Sequence, residues 1–337
     1  MFFRAAIRAL TNRLLAVAML LAYMSSRAIA SPPNVLLIYV EDLNCRIGAF
    51  GDSFVKTPHI DALARTGMRF DRAYCANPVC MPSRTALLTG LRSDTTQTPD
   101  NTAGCFRPRV PDAITMPQLF AKNGYTVTVL GKTFFSHGSD DAATAEVMTR
   151  LAPLPPMQSP PSYIERMVAE PREKDALRRM LGRKQTYWGP LDGDDQDMFD
   201  GQAASAAVEF LSRQPREPFF FAVGFLRPHL PHVVPKKYFD LYPLASLPDP
   251  ALTKDHFEAS EDVDLGLDHA VNRLERERST GRLNVPPALA NSIRQAYYAS
   301  VSFVDAQIGK STESTNRIWP RRRHHCGPCV GPWFSPR

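Results

Sequence analysis

Once its two ends are set aside, the sequence has almost no excess of either charge. The 337-residue chain carries 40 Lys and Arg against 34 Asp and Glu, a formal net charge of +6. Residues 1–30 contain four Arg and no acidic residue, and residues 311–337 contain five Arg and one Glu. The body between them holds 31 basic and 33 acidic residues. Such a balance provides no basic patch, so we do not expect a nucleic-acid partner.

Long apolar runs are also lacking after residue 30, so no later segment is expected to cross a membrane. In residues 1–30, three arginines precede the apolar run Leu14–Tyr23, and the small-x-small sequence Ala28–Ala30 stands before Ser31. This arrangement predicts a secretory signal peptide and export to the periplasm or the cell exterior. A membrane anchor is the alternative, but the run is about half of the ~20 residues that span a bilayer.

Cysteine is scarce, and the composition is otherwise that of a globular protein. Hydrophobic residues make up 44% of the chain and charged residues 22%, which excludes collagen-like and wholly disordered chains. An exported protein can keep disulfides, but the sequence assigns no pairing. The six cysteines are Cys45, Cys75, Cys80, Cys105, Cys326 and Cys329.

Strand and helix patterns alternate along the chain. The branched apolar run Asn34–Val40 is typical of a strand buried on both faces, and it ends at Glu41 and Asp42. Carboxylates in that position lie where α/β folds bind ligands. We therefore predict a mostly parallel sheet flanked by helices. The other predicted helices are 58–67, 82–90, 115–124, 202–213 (capped by Asp200) and 288–310, and the other predicted strands are 68–74, 125–130 and 218–226.

The residues that most strongly suggest a catalytic site lie in the segment from Cys80 to Gly90. Pro82 is well placed at the start of a helix closed by Gly90, so Cys80 lies just before a helix N-terminus, where free N–H groups favour an anion. Arg84, one turn further, can reach back toward that anion. A buried structural thiol before a short helix is the alternative that these residues leave open.

Cys80-Met-Pro-Ser-Arg84, followed by Leu87-Leu-Thr-Gly90, resembles the signature of the type I sulfatase family. The strand ending in Glu41 and Asp42, the helix start Thr57–Asp61 and the pair Gly131-Lys132 are similar to other parts of that family. Two further stretches, Phe221–Gly224 with Arg227–Pro231 and Tyr298–Ser302, resemble its iduronate 2-sulfatase branch. The resemblance covers about residues 33 to 310.

The resemblance implies an alkaline phosphatase-like fold and hydrolysis of sulfate esters on sulfated sugars. A formylglycine-generating or sulfatase-maturing enzyme would convert Cys80 to formylglycine. One hydroxyl of the hydrate would attack sulfur and expel the alcohol, and the other would lose its proton and collapse the sulfated hydrate back to the aldehyde, releasing sulfate. Glu41, Asp42 and position 80 would bind Ca²⁺, Arg84 would orient the hydrate, and Lys132 and His229 would bind sulfate. His137 stands near the position where the branch has a histidine, which here is Phe135.

The C-terminal part departs from the family pattern. The family's further metal ligands and lysine are expected beyond the long helix, where this chain has the unusual segment 311–337. We therefore expect an incomplete sulfatase domain over residues 31–310 and, over residues 311–337, a tail foreign to the family that results from truncation or a frame shift. The long helix should then expose Tyr297, Val301 and Val304. The tail's His324, His325, Cys326 and Cys329 mimic zinc spacing but lack a second knuckle, so no zinc site is expected.

Two other enzyme or binding functions remain open at this stage. One is hydrolysis of phosphonate or phosphate monoesters by a member of the same superfamily. The other is an inactive, truncated remnant that binds sulfated glycans. The remaining polar clusters are predicted to be solvated surface groups; they are Asp192, Asp194, Asp195, Asp197, His232, Lys236 and Lys237.

Overall fold

In the computed structural model of the chain, the central element is a five-stranded sheet whose described pairings are all parallel, with strand order β3-β2-β5-β1-β7. The structure describes residues 32–134, 148–149, 188–247, 287–318 and 324–330. The chain divides into two units, Met1–Pro33 and Asn34–Arg337, and everything below concerns the second. The sheet strands are β1 (Asn34–Val40), β2 (Thr126–Gly131), β3 (Met148–Thr149), β5 (Phe219–Phe225) and β7 (His324–Val330).

A second, two-stranded parallel sheet joins β4 (Trp188–Leu191) to β6 (His232–Pro235). The described helices are α1 (Pro58–Thr66), α2 (Cys80–Thr89), α3 (Ser93–Thr96), α4 (Met116–Lys122), α5 (Phe199–Ser212), α6 (Lys236–Phe239) and α7 (Pro287–Ile318). None of them combines the length and the apolar character needed to span a bilayer.

Both faces of the main sheet are buried because β1 and β5 carry apolar side chains at consecutive positions. On one face, alternate residues such as Ile38 and Phe221 pack in the large core against α5 and α7. On the other face, Leu37 and Phe220 belong to a smaller core that includes Phe120 of α4. The predicted class, a mostly parallel α/β sheet between helices, is confirmed.

Three local predictions are wrong. Residues 68–74 do not form a strand; Met68, Phe70 and Tyr74 are exposed, and this stretch pairs with no strand among the described residues. The long helix does not end at Lys310 but continues to Ile318, and the tail contributes strand β7 beside β1. Val301 and Val304 of that helix are fully buried, because α7 packs on α5 and β6.

Candidate active site

The candidate site lies at the carboxyl edge of the main sheet, where loops from three strands meet one helix start. Glu41 and Asp42 directly follow β1, and Lys132 directly follows β2. His229 lies in the loop between β5 and β6, and Cys80 is the first residue of α2. The parallel topology therefore brings together side chains that are far apart in sequence, as the position of the acidic pair predicted.

Two glycines allow the ends of β2 and β5 to approach closely. Gly131 has φ +68°, and a Cβ there would lie 2.2 Å from the carbonyl oxygen of Gly224. A Cβ on Gly224 would lie equally close to the carbonyl group of Lys132. The Lys132 backbone N–H donates to the Gly224 carbonyl at 2.8 Å. Only glycine fits at both positions, and this close contact directs Lys132 toward the site.

The Glu41 carboxylate is buried between two cations. Its side chain is fully inaccessible, and it accepts a hydrogen bond from Arg84 Nη2 while Lys132 Nζ lies 3.1 Å from Oε1. Burial alone would raise the pKa of Glu41, but the charges of Arg84 and Lys132 outweigh it and hold the pKa below its usual value. Arg84 Nη1 donates to the carbonyls of Lys132 and Thr133, the latter at 3.1 Å. The family resemblance assigned Arg84 to the hydrate at position 80 and Lys132 to sulfate, and here both cations also neutralise a buried acid.

Asp42 and His229 form the second charged pair of the site. His229 Nε2 lies 3.8 Å from Asp42 Oδ2. The other ring nitrogen, Nδ1, lies 2.6 Å from the Leu230 carbonyl, which can only accept, so Nδ1 carries the proton of a neutral ring. Burial raises the pKa of Asp42, and the neighbouring charge of Glu41 adds to this, although His229 acts in the opposite direction.

Cys80 is a half-buried thiol within this charged cluster. It hydrogen bonds to Glu41, and burial together with the Glu41 charge raises the pKa of the thiol to about 12. An unmodified Cys80 is thus a protonated, weakly nucleophilic group at neutral pH. Cys45, Cys75, Cys80 and Cys105 are all free thiols in the structure.

The two carboxylates of the cluster suit a hard divalent cation. In the described part of the chain, Glu41, Cys80 and His229 form the one group of three such residues, with candidate ligand atoms within 4.8 Å of one another. Asp42 adds a carboxylate beside it, and carboxylate oxygens are ligands that Ca²⁺ prefers. An oxygen in place of the Cys80 sulfur would make the set harder still. Ca²⁺ takes about six to eight oxygens, so these residues account for part of a coordination shell.

Sequence reasoning missed a buried support for the His229 loop. Asp200 was predicted as a helix cap but lies inside α5, 2% exposed. Its carboxylate accepts the backbone N–H groups of Leu226 and Arg227, both at 2.7 Å, and Arg227 Nη1 donates to the His229 carbonyl at 3.1 Å. The signal available in the sequence was only an acidic residue near a helix start, which also fits a cap.

The other sequence predictions have mixed outcomes. His137 lies outside the described residues. Lys236 and Lys237 are exposed, as predicted, but His232 is buried, and burial lowers its pKa to about 3. In the acidic run, Asp192, Asp194 and Asp197 are exposed.

The surface prediction is wrong for Asp195, which is buried because two helices direct lysines at it. Lys237 of α6 and Lys310 of α7 each place Nζ 2.8 Å from its carboxylate. Burial would raise its pKa, but the hydrogen bonds from Lys237 and Lys310 lower it to about 2.

Comparison with known proteins identifies the family. The sulfatase family model matches residues 33–314. The chain belongs to the sulfatase family. The family membership inferred from Cys80–Arg84 and from the acidic pair Glu41-Asp42 is therefore confirmed.

The related proteins are sulfatases. A sulfatase of Formosa agariphila is 36% identical over 285 residues, which cover 82% of this chain and 54% of the relative. Human iduronate 2-sulfatase is 32% identical over 288 residues, covering 82% of this chain and 50% of that enzyme. This sulfatase chain thus spans about half the length of the curated relatives it matches.

Solved structures confirm the alkaline phosphatase-like fold. A phosphonate monoester hydrolase of Agrobacterium radiobacter superimposes with a TM-score of 0.60 and 21% identity, covering 87% of this chain and 61% of that one. A 2-O GAG sulfatase gives a TM-score of 0.58 with 19% identity, covering 89% and 57%. At such identities the likeness concerns the fold alone.

Proposed function

We propose that this sulfatase-family chain is a sulfuric ester hydrolase that removes sulfate from sulfated polysaccharide or glycosaminoglycan sugars. One observation carries the proposal: Cys80, two cations and two carboxylates converge at one edge of the sheet, in a chain of this family. Similarity to human iduronate 2-sulfatase supports a sulfated uronic acid as the sugar.

Sulfate esters are hard to hydrolyse because their negative charge repels nucleophiles, and the two buried cations of the site offset that charge. Arg84 and Lys132 are nearly buried, so their charges act with little solvent screening on a sulfuryl group bound beside them. Glu41 holds both side chains in place before substrate arrives. We assign sulfate binding to Lys132 and His229, and orientation of the side chain at position 80 to Arg84.

With a proton on Nε2 as well as on Nδ1, His229 is suited to protonate the leaving alcohol. Its Nδ1 is committed to the Leu230 carbonyl, so Nε2 is the atom that exchanges a proton with substrate. His137 is retained as a second candidate acid.

Two groups would complete the chemistry. Formylglycine, made from Cys80 by a maturing enzyme, supplies a hydrated aldehyde as the nucleophile in place of a thiol whose pKa is far too high. A divalent cation, Ca²⁺ by its ligand chemistry, supplies positive charge at the reacting oxygen; Glu41, Asp42 and position 80 would hold it.

We also propose a cellular location and a domain extent for the protein. Residues 1–30 act as an export signal, so the mature protein is periplasmic or extracellular, and residues 31–310 form the main part of an incomplete sulfatase domain, to which the end of α7 and strand β7 are added. The family match over residues 33–314 supports the second statement.

Phosphonate or phosphate monoester hydrolysis is the main competing activity, because solved phosphonate monoester hydrolases share the fold. A glycan-binding remnant without turnover is the other. Both make predictions that differ from those of a sulfatase.

The test is sulfate release from a 2-O-sulfated uronic acid disaccharide, measured by ion chromatography with Ca²⁺ present. The full chain is co-expressed with a maturing enzyme, and Cys80→Ala is compared with Cys75→Ala, which removes another free, half-buried thiol. We expect turnover in the wild type and in Cys75→Ala but not in Cys80→Ala. Faster cleavage of a phenylphosphonate monoester would favour the competing enzyme, and binding of the disaccharide without release would favour the remnant.

A further inference from the structure

Tyr297, near the middle of α7, bridges the two ends of the acidic turn. Its hydroxyl donates to the Asp42 carbonyl oxygen at 3.0 Å and accepts the backbone N–H of Asn44, also at 3.0 Å. Asp42 has φ 54°, in the left-handed region that a residue with a side chain rarely adopts. Such a backbone needs support from its surroundings, and the Tyr297 hydroxyl gives it.

The Tyr297 ring is itself held in place by the other side of the site. The ring of His232 packs edge-on against it, with centroids 5.6 Å apart and planes at 90°. His232 begins β6, immediately after the loop that carries His229. Tyr297 therefore lies between the two segments that supply Asp42 and His229.

We propose that Tyr297 is a positioning residue: its hydroxyl fixes the Asp42 turn so that the Asp42 carboxylate faces the divalent cation and His229 Nε2. The inference rests on the proposed function, because it assigns the cation to Asp42. Its physical basis is separate, since the two hydrogen bonds and the left-handed Asp42 do not depend on any bound group. Loss of the hydroxyl would free both ends of the turn.

Tyr297→Phe tests this because it removes one oxygen and keeps the packed ring. Tyr242→Phe is the matched control: Tyr242 is fully buried, and its hydroxyl also supports a loop, accepting the Lys56 backbone N–H at 2.8 Å, with Ser302 as its other partner. It does not contact the acidic turn. We expect Ca²⁺ affinity, from titration calorimetry on the matured full chain, to fall about tenfold or more in Tyr297→Phe and to stay within about twofold in Tyr242→Phe.

Hydrogen exchange of the Asn44 amide gives a readout that needs no metal. We expect it to speed up about tenfold in Tyr297→Phe, because its acceptor is gone, and to be unchanged in Tyr242→Phe. Equal Ca²⁺ affinities in the two variants would overturn the proposal. If the wild type binds no Ca²⁺, the metal chemistry of the proposed function fails, and exchange decides the role of Tyr297: faster Asn44 exchange in Tyr297→Phe alone supports positioning, and unchanged exchange refutes it.

Discussion

Replacing Glu41 by Gln should destabilise the protein strongly, although the two side chains have nearly the same shape. Glu41 is 1% exposed, and it neutralises Arg84 and Lys132, which are 9% and 7% exposed. Removing one partner of a buried ion pair typically costs about 3–5 kcal/mol, because the opposite charge stays buried without compensation. Arg84 keeps its carbonyl acceptors at Lys132 and Thr133, so we expect the lower end, about 3 kcal/mol.

The pH dependence provides a second signature of the same interaction. The pKa of Glu41 is below its usual 4.5 in the folded protein, so its contribution is fully present above about pH 4.5 and is lost as pH falls through the lower folded-state value. The difference between wild type and Glu41→Gln should therefore be constant from pH 7 to 5 and shrink below that. Urea unfolding followed by circular dichroism measures it.

Glu209→Gln is the control for the chemical change itself. Glu209 pairs with Arg213 on the surface of α5, where both side chains are more than half exposed, and such pairs contribute about 0.5 kcal/mol or less. Equal destabilisation by the two substitutions, or a Glu41→Gln effect below about 1 kcal/mol, would refute the assignment of Glu41 as the neutralising partner of two buried cations.

Two further substitutions test buried carboxylates elsewhere. Asp200→Ala should lower the free energy of unfolding by about 3–5 kcal/mol in urea titrations. The N–H groups of Leu226 and Arg227 lose their acceptor, and the buried Arg227 guanidinium loses the nearby negative charge of Asp200; a loss below about 1 kcal/mol would contradict this role. Asp305 has its pKa raised to about 6 from 3.8, chiefly by burial, so its contribution is fully present below about pH 3.8 and is lost as pH rises through about 6. The stability of Asp305→Asn relative to wild type should therefore rise by about 2 kcal/mol between pH 4 and pH 7, and a flat difference over that range would show that Asp305 does not titrate as described.

The parts of the site that were predictable from sequence are those in which function coincides with a strong local pattern. Glu41 and Asp42 directly follow an apolar run typical of a buried strand, and Cys80 stands two residues before a proline suited to a helix start, in a helix that begins at Cys80 itself. Parallel topology then brings these ends together. Lys132 was predicted through its family resemblance, and the structure adds the physical reason for its position, the close approach of Gly131 and Gly224.

The supporting residues were not predictable in this way. Asp200 and Tyr297 lie on α-helices and Asp195 lies in a single 3-10 turn, and the local sequence at each is satisfied by an ordinary cap, core or surface assignment. Their roles depend on backbone groups and lysines that are distant in sequence, and no local periodicity encodes such contacts. The wrong strand at 68–74 has the opposite cause: a good β pattern forms a strand only where another strand pairs with it.

The most direct measurement for the whole account is the mass of the peptide containing position 80 from matured, exported protein. The account predicts that the Cys80 sulfur is replaced by a carbonyl oxygen, detectable also by reaction with a hydrazide. An unmodified, alkylatable thiol at position 80 in every molecule, in material that nevertheless releases sulfate, would contradict it.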